Sequence, residues 1–367
     1  MESAESGAEP LLPLSNAALA GRYALLGGIV LGVAAAFAYA GGWLTPHALT
    51  GARIIDAFEK VNGAQPGFRR NHAKGVGFRG SFLSNGRGAA LSKASVFEPG
   101  AQPVPVIGRF ALAGGLPYAA DTASNVRSMA LSFQLRGGEE WRTGMNDIPV
   151  FLVNSAAAFQ ELVLTGLPDP STGKPNPASM PAFLSRHPEA ARALQLIKSA
   201  PKSSGFEDDS YQSLNAFRFV NAAGKVTPVR WAMVPVQAAP IAKATPASAD
   251  KNYLFDQLAA AVARQPLQFR LMVVVGQAGD STADATLPWP KERVSLDVGT
   301  LTIERLQGEA DSPARDLNFD PLVLPSGIEG SDDPLLNARS LAYSASFTRR
   351  EGEPKKTSAI SVEPGAR

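Results

Sequence analysis

Residues 333–343, Asp-Pro-Leu-Leu-Asn-Ala-Arg-Ser-Leu-Ala-Tyr, decide how the rest of the chain is interpreted. The aspartate can cap the first free N–H groups of a helix, and the proline that follows fits the first helical position, where no N–H is needed. Leu336, Arg339 and Tyr343 then lie on one face of the predicted helix. The stretch therefore predicts a helix that carries an arginine directly beside a tyrosine.

The pairing of Arg339 with Tyr343 suggests a metal ligand. A cation beside a phenol favours the phenolate, whose unperturbed pKa is about 10. A buried phenolate needs a second positive partner, and a ferric iron would serve, since tyrosine is a known haem ligand. The same spacing also fits an ordinary amphipathic helix whose arginine reaches solvent. The rest of the chain has to decide between these interpretations.

Composition narrows the class of protein. The chain has 367 residues, of which 45% are hydrophobic and 19% charged, as in a globular protein with a sizeable core. The net charge of +2 and the lack of a basic run give no reason to expect a nucleic-acid partner. There is no cysteine, which excludes disulfides, thiolate haem ligation and cysteine-based metal sites. The three histidines lie far apart in the sequence, which argues against a multi-histidine metal site.

An apolar run precedes the main part of the chain. Residues 23–44, YALLGGIVLGVAAAFAYAGGWL, are long enough to cross a bilayer. The run is predicted to be a transmembrane anchor in the inner membrane, with the following domain on the periplasmic side. Alternatively it is a signal segment cut after Ala38-Tyr39-Ala40, which would release the protein into the periplasm.

The domain organisation predicted from these features has five parts: a leader at 1–22, the anchor or signal at 23–44, a linker at 45–51, one domain at 52–350, and a polar tail at 351–367 that is expected to fray. Helices are predicted at 52–61, 155–164, 180–200 with a break near Pro188, and 253–264. Strands are predicted at 104–112, 128–135, 149–153, 267–276 and 293–306, with a hairpin at 216–236 around a turn at 221–224. The pattern favours an α+β domain built on an antiparallel sheet that closes into a barrel.

Taken in order, the motifs resemble those of the haem catalases and their shorter, catalase-related peroxidases. They include His72-Ala-Lys-Gly with Gly80 and Phe82, residues 105–110, Asp121-Thr122, the stretch 144–151, the hairpin 217–224, Leu287-Pro-Trp-Pro290, the stretch 325–333, and Arg339-Ser-Leu-Ala-Tyr343. The resemblance covers residues 68–350 without interruption. It implies an antiparallel eight-stranded β-barrel with surrounding helices, preceded here by one N-terminal transmembrane helix.

The resemblance also implies roles for particular residues. Tyr343 corresponds to the proximal iron ligand and Arg339 to the partner that keeps it a phenolate. His72 corresponds to the distal acid and base, and Asn146 to the amide that orients the peroxide. The family's haem-propionate arginines correspond to Arg69, Arg109 and Arg350, and its aromatic rings near the haem to Phe151 and Phe159.

The activity implied is that of a haem peroxidase, with haem b, acting on organic hydroperoxides or hydrogen peroxide through a ferryl intermediate and using an unidentified electron donor. The alternatives are a catalase that dismutates hydrogen peroxide, a fatty-acid hydroperoxide isomerase resembling allene oxide synthase, and a haem-binding protein without turnover. The chain lacks the long N-terminal arm and the C-terminal part of large catalases, so a monomer or small homo-oligomer is expected.

Three positions depart from the pattern of the large catalases. Asn71 stands where they have an apolar residue, Leu152 where a second aromatic would be expected, and Ala111 where they have a serine that hydrogen-bonds the distal histidine. We therefore expect His72 to be held differently from the distal histidine of a large catalase.

Overall fold

The computed structural model describes residues 15–41, 43–44, 49–237 and 250–362. The chain divides into two compact units, Met1–Thr50 and Gly51–Arg367. The boundaries predicted for the leader, linker, haem domain and tail stay predictions.

In the described residues of the first unit there is one helix, α1, at Asn16–Ala40. It begins and ends earlier than the apolar run, because Ser15 Oγ accepts a hydrogen bond from the Ala18 N–H at 3.2 Å and Gly41 closes the far end. The helix has 25 residues and contains an 18-residue window with a mean hydropathy of 1.9, so it could cross a membrane by length and composition, a test that a signal sequence also passes.

Strands and helices alternate irregularly in the second unit. In the part of the chain that the structure describes, its strands are β1 Gly75–Ser84, β2 Val104–Leu112, β3 Arg127–Gln134, β4 Glu140–Asn146, β5 Tyr211–Gln212, β6 Phe217–Val220, β7 Val226–Pro235, β8 Leu267–Val275, β9 Ser295–Gln307 and β10 Ile328–Gly330. The helices are α2 Gly51–Asn62, α3 Ala156–Leu164, α4 Ser179–Arg186, α5 Pro188–Ser199, α6 Tyr253–Arg264 and α7 Pro334–Glu351.

Eight of the strands close into an antiparallel barrel. They follow one another around the barrel in the order β1, β2, β3, β4, β5, β7, β8 and β9, and β9 pairs with β1 to complete it. The other two, β6 and β10, extend the sheet beyond β7. Closure leaves no free edge around the barrel, which is the usual solution for an antiparallel sheet of this size.

Along β2, β3 and β4, side chains that face the hydrophobic core alternate with side chains on the opposite face of the sheet. Phe110, Met129 and Met145 are each at most 1% exposed and belong to the main hydrophobic core. Because successive side chains of a strand lie on opposite faces, their neighbours in sequence project to the other side of the sheet. That side is covered by α2, α3 and α7, and the space between contains the candidate site.

The helix predicted from the opening stretch is confirmed as α7. Asp333 Oδ1 accepts a hydrogen bond from the Leu335 N–H at 2.9 Å, and Pro334 occupies the first turn. The helix continues to Glu351 and therefore also carries Arg350.

Two expectations about local structure are wrong. Residues 149–153 do not form a strand, because Pro149 has no N–H to donate and the segment is held instead by isolated bonds such as Phe151 N–H to Ala285 O at 2.9 Å. The strand lies earlier, at β4. The described part of the tail does not fray, since Ile360 is 6% exposed within the core and Glu353 pairs with buried Arg70.

Candidate active site

A cavity lies between the barrel wall and the helices α2, α3 and α7. Its volume is about 270 Å³, near the lower end of the roughly 300–1,000 Å³ of a common small-molecule pocket. The site residues predicted from the sequence all lie along its wall: Arg69, His72, Arg109, Asn146, Phe151, Phe159, Arg339, Tyr343 and Arg350. Residues from opposite ends of the sequence are thus brought to one cavity, although their individual roles stay predictions.

His72 sits in a strained backbone conformation. Its φ of 56° lies in the left-handed region that non-glycine residues seldom adopt. The side chain of Asn71 stabilises this turn, because its Oδ1 accepts hydrogen bonds from the backbone N–H of His72 at 3.0 Å and of Gly114 at 2.8 Å. The polar neighbour of the predicted distal histidine therefore has its oxygen occupied by backbone.

A serine that the sequence analysis did not single out connects the two predicted distal groups. Ser128 Oγ lies 3.0 Å from His72 Nδ1 and donates a hydrogen bond to Asn146 Oδ1 at 2.6 Å. The sequence analysis expected His72 to be held differently because position 111 on β2 is an alanine, and the structure provides a hydroxyl from Ser128. The hydroxyl comes from β3 and not from β2.

His72 is neutral at ordinary pH. Burial, followed by the positive charges of Arg109, Arg339 and Arg69, lowers its pKa to about 3. A neutral imidazole has one nitrogen free to accept a proton, which is the form that a general base requires.

On α7, Arg339 is fixed by two partners. Its Nη2 donates to Gly144 O at 3.0 Å, and its Nη1 donates to Asn215 Oδ1. Asn215 Nδ2 in turn donates to Asp333 Oδ2 at 2.7 Å, so the helix cap and the arginine belong to one network. The Arg339 guanidinium carbon lies 6.0 Å from the centre of the Tyr343 ring.

The barrel wall opposite α7 is lined by residues with little or no side chain. Ala111, Ala130 and Gly144 occupy its cavity face on three adjacent strands. A methyl group added to Gly144 would lie 3.2 Å from Tyr343 Oη, so even alanine would crowd the phenol. Phe151 and Phe159 pack with ring centres 5.6 Å apart on another side. The result is a mostly apolar space.

Positive charge gathers at one end of the cavity. Arg109 donates to Glu309 Oε1 at 2.6 Å and to His72 O at 2.8 Å, so its anionic partner within the chain is Glu309. Arg69 is oriented by backbone carbonyls, including those of Ala314 and Leu317, both at 2.8 Å.

Arg350 completes this cluster, and its guanidinium carbon lies 5.3 Å from the centre of the Phe347 ring. Among the residues that the structure describes, none accepts a hydrogen bond from its buried Nε or Nη2. Burial and the charge of Arg109 lower the pKa of Arg350 to about 10, and burial lowers that of Arg69 well below its usual value. Three guanidiniums and the Glu309 carboxylate sum to +2, a charge that the two propionates of a haem would balance.

These observations fit a haem. Buried guanidinium nitrogens without a partner favour an anionic ligand, the mostly apolar lining suits a haem ring, and the hydroxyl oxygen of Tyr343 lies beside the same wall. Arg350 is therefore the strongest candidate to hold a propionate. Arg109, whose position in an apolar strand suggested such a role, already has a carboxylate partner in Glu309.

Comparison with known proteins places the chain in a family. The family model described as Catalase matches residues 39–361. A catalase-related peroxidase of Synechococcus elongatus is 36% identical over 82% of this chain and 89% of its own length. One of Mycolicibacterium paratuberculosis is 33% identical over 85% of this chain and 96% of its own length.

Solved structures agree on the fold. A fungal catalase matches with a TM-score of 0.69 and a bacterial catalase with 0.68, at 20% and 22% sequence identity, covering 78% of this chain in each case. The chain spans 60% and 58% of the lengths of those two proteins. The chain belongs to the catalase family, in the small branch that contains the catalase-related peroxidases.

Proposed function

We propose that the chain is a haem-dependent peroxidase that reduces organic hydroperoxides, hydrogen peroxide or both, with the phenolate of Tyr343 as the ligand of the haem iron. Family membership makes it an oxidoreductase that acts on peroxide. The assignment of haem and of its tyrosine ligand rests on one observation: the neutral His72, Asn146, Tyr343 and Arg350 line a single cavity, and the buried Nε and Nη2 of Arg350 have no partner among the described residues.

Each group has a task that its environment suits. Bound haem, proposed to be haem b, would supply the redox chemistry. Tyr343 would hold the iron through its oxygen, with the Arg339 guanidinium carbon 6.0 Å from its ring centre. Arg350 and Arg69 would hold the propionates. His72 would take a proton from one peroxide oxygen and return it to the other, while the Asn146 amide would orient the peroxide.

The cavity wall favours organic hydroperoxides among the possible substrates. Ile54, Ile55 and Phe58 of α2 and Leu162 of α3 give the cavity an apolar side that water-like hydrogen peroxide does not need. An apolar side chain of a substrate would be desolvated there, which strengthens binding in proportion to the area covered. The electron donor is a reductant of unspecified class.

Dismutation of hydrogen peroxide is the second candidate, because curated catalases such as that of Pseudomonas syringae match at 26% identity over 84% of this chain. The isomerase alternative has its support in the polar Asn71 beside His72, whose Oδ1 accepts hydrogen bonds from backbone N–H groups.

The N-terminal helix would hold the protein in the inner membrane with the haem domain on the periplasmic side. Its length and apolar composition are the support for this part of the proposal, and cleavage as a signal segment remains the alternative.

Turnover with and without a reductant tests the proposal. The haem-loaded protein should oxidise an added donor in step with consumption of cumene hydroperoxide or hydrogen peroxide, and should release little oxygen when no donor is present. Vigorous oxygen release from hydrogen peroxide alone would instead support the dismutase. Failure to consume either peroxide would contradict both enzymes.

A further inference from the structure

Ser128 holds a position between the two groups that would handle the peroxide. It is 7% exposed, and its hydroxyl contacts both His72 Nδ1 and Asn146 Oδ1. We propose that Ser128 is a positioning residue that fixes which nitrogen of His72 carries the proton and which way the Asn146 amide is turned. The inference rests on the proposed function, because it concerns the same site.

The strand register explains how one hydroxyl reaches both groups. Ala111 of β2 pairs with Ser128 of β3, which pairs with Asn146 of β4, so the three side chains form a row on the cavity face. Directly opposed residues on neighbouring antiparallel strands have Cβ atoms about 4.5–5.5 Å apart. The family's serine would stand at Ala111. In this chain the hydroxyl lies one strand further along the same row.

Counting protons fixes the direction of each hydrogen bond. A serine has one O–H to donate, and an amide oxygen can only accept. The Ser128 proton is therefore directed to Asn146 Oδ1, and its oxygen must accept from His72 Nδ1–H. Since the neutral imidazole has a single proton, Nε2 is left as the bare nitrogen.

The same hydrogen bond sets the orientation of the Asn146 amide. Its oxygen is occupied by Ser128, so its NH₂ group is the part free to donate into the cavity. The cavity is thereby given one acceptor, His72 Nε2, and one donor, Asn146 Nδ2. A hydroperoxide needs this combination, because its O–H proton passes to Nε2 and is later returned to the other oxygen while the amide holds the molecule in place.

The opposite arrangement would give a different site. If the Asn146 NH₂ donated to Ser128, the serine proton would go to His72 Nδ1 and the imidazole proton would move to Nε2. The histidine would then present a donor where the reaction needs an acceptor. Amide and imidazole orientations are set by such networks, so the tautomer of His72 is the quantity to measure.

The test uses the full chain in four forms: the parent, Ser128→Ala, Ser128→Ala with Ala111→Ser, and Ser132→Ala as the matched control. Ser132 is a fully buried serine on the same strand with bonds to Glu140 and Gln134, away from the cavity. Nitrogen-15 NMR of the haem-free protein reports the His72 tautomer. Stopped-flow absorption of the haem-loaded protein reports the rate constant for its reaction with cumene hydroperoxide.

We expect the parent and Ser132→Ala to carry the His72 proton on Nδ1. Ser128→Ala should populate the other tautomer and react about 10–100-fold more slowly at unchanged haem content, and the double variant should recover most of both properties. The inference is overturned if the parent carries the proton on Nε2, or if Ser128→Ala keeps both the Nδ1 tautomer and the parent rate. Because the NMR reading needs no haem, a parent that fails to bind haem would count against the proposed function alone.

Discussion

At the scale of single residues, the arginines at the cavity carry positive charge that the carboxylates of the chain balance only in part. Arg109 has Glu309 and Arg70 has Glu59 and Glu353, whereas the Nε and Nη2 of Arg350 have no partner among the described residues. A buried cation without a counterion costs free energy in the haem-free protein. The same cation would gain most when an anionic ligand arrives.

The first prediction concerns Arg350. Arg350→Leu should unfold at the same or a higher temperature than the parent when haem-free, because it removes an unpaired buried charge. It should also bind haem about 10–100-fold more weakly, since a hydrogen bond to a charged group contributes roughly 1.5–3 kcal/mol. Thermal melts and haem titration would measure both.

The residue before Arg350 in the sequence provides the control variant. Arg349 pairs with Asp56 at 2.6 Å and Glu59 at 2.9 Å, outside the cavity. Arg349→Leu should leave haem affinity unchanged. Equal loss of haem affinity in both variants would show that Arg350 has no special role.

The second prediction concerns the loss of folding stability at acidic pH that the buried His72 causes. Its pKa is about 3 in the folded protein and about 6.5 when unfolded, so below pH 6.5 the unfolded state binds the extra proton and the folded state does not. Stability should therefore fall as pH drops from 6.5 towards 3, by at most about 1.4 kcal/mol per pH unit from this group. His72→Gln should remove that part of the slope in urea titrations of the haem-free protein.

His187 is a natural contrast, because the hydrogen bonds that it donates to Glu161 and Glu189 raise its pKa. Its contribution is present at low pH and is lost as pH rises through the raised value. His187→Gln should consequently not flatten the acid slope. An unchanged slope in His72→Gln would mean that the histidine is not buried in neutral form.

At the scale of elements, α7 joins the predicted iron ligand to the barrel through side chains near its start. Asn215, 2% exposed, links Asp333 at the helix cap to Arg339 two turns later. Arg339 then reaches Gly144 O on β4. The position of Tyr343 against the barrel wall thus depends on an amide from a loop between β5 and β6.

The third prediction tests that link. Asn215→Ala should lower the free energy of unfolding by about 2–4 kcal/mol, because Arg339 Nη1 and Asp333 Oδ2 both lose a buried partner. Asn221→Ala, in the exposed turn of the hairpin, should cost less. Urea unfolding gives the comparison, and equal losses in the two variants would contradict the network.

Elements with local signals could be predicted from the sequence, and elements without them could not. The strand β2 and the helix α6 have the predicted limits, because apolar periodicity and bounding polar, Gly or Pro residues define them. The strand β4, Glu-Trp-Arg-Thr-Gly-Met-Asn, has no apolar run, since one of its faces lines the cavity with Gly144 and Asn146. The residues of β4 therefore suit the cavity and do not show the apolar pattern of a core strand.

The missed site residues depend on contacts that no local pattern contains. Glu309 meets Arg109 across 200 positions of sequence, and Ser128 meets His72 across 56. The sequence does show Ser128 as a residue with a hydroxyl group on a predicted strand. Its closeness to Asn146 follows only from the register between β3 and β4, which the sequence analysis did not establish because it did not identify β4.

At the scale of the whole molecule, the fold forms a cavity wall from strands close in sequence and covers it with helices from both ends of the domain. Helix α2 precedes the first strand and α7 follows the last, and α2 and α7 both line the cavity. The cavity should therefore be complete only when the entire second unit is folded.

The fourth prediction separates the two units. A chain that lacks residues 1–44 should fold, bind one haem and keep the parent's peroxide reactivity, while losing any association with membranes. Sedimentation with lipid vesicles and haem titration would measure these properties. If the shortened chain failed to fold, or if the full chain ignored vesicles, the predicted division into anchor and haem domain would be wrong.

The central claim is that haem binds in this cavity with Tyr343 on its iron. The most direct measurement is the absorption spectrum of the haem-loaded protein before and after addition of peroxide, compared between the parent and Tyr343→Phe. We expect the parent to bind haem stoichiometrically and to change its spectrum with peroxide, and Tyr343→Phe to lose most of its haem. A Tyr343→Phe protein with the parent's haem content and spectrum would contradict the account.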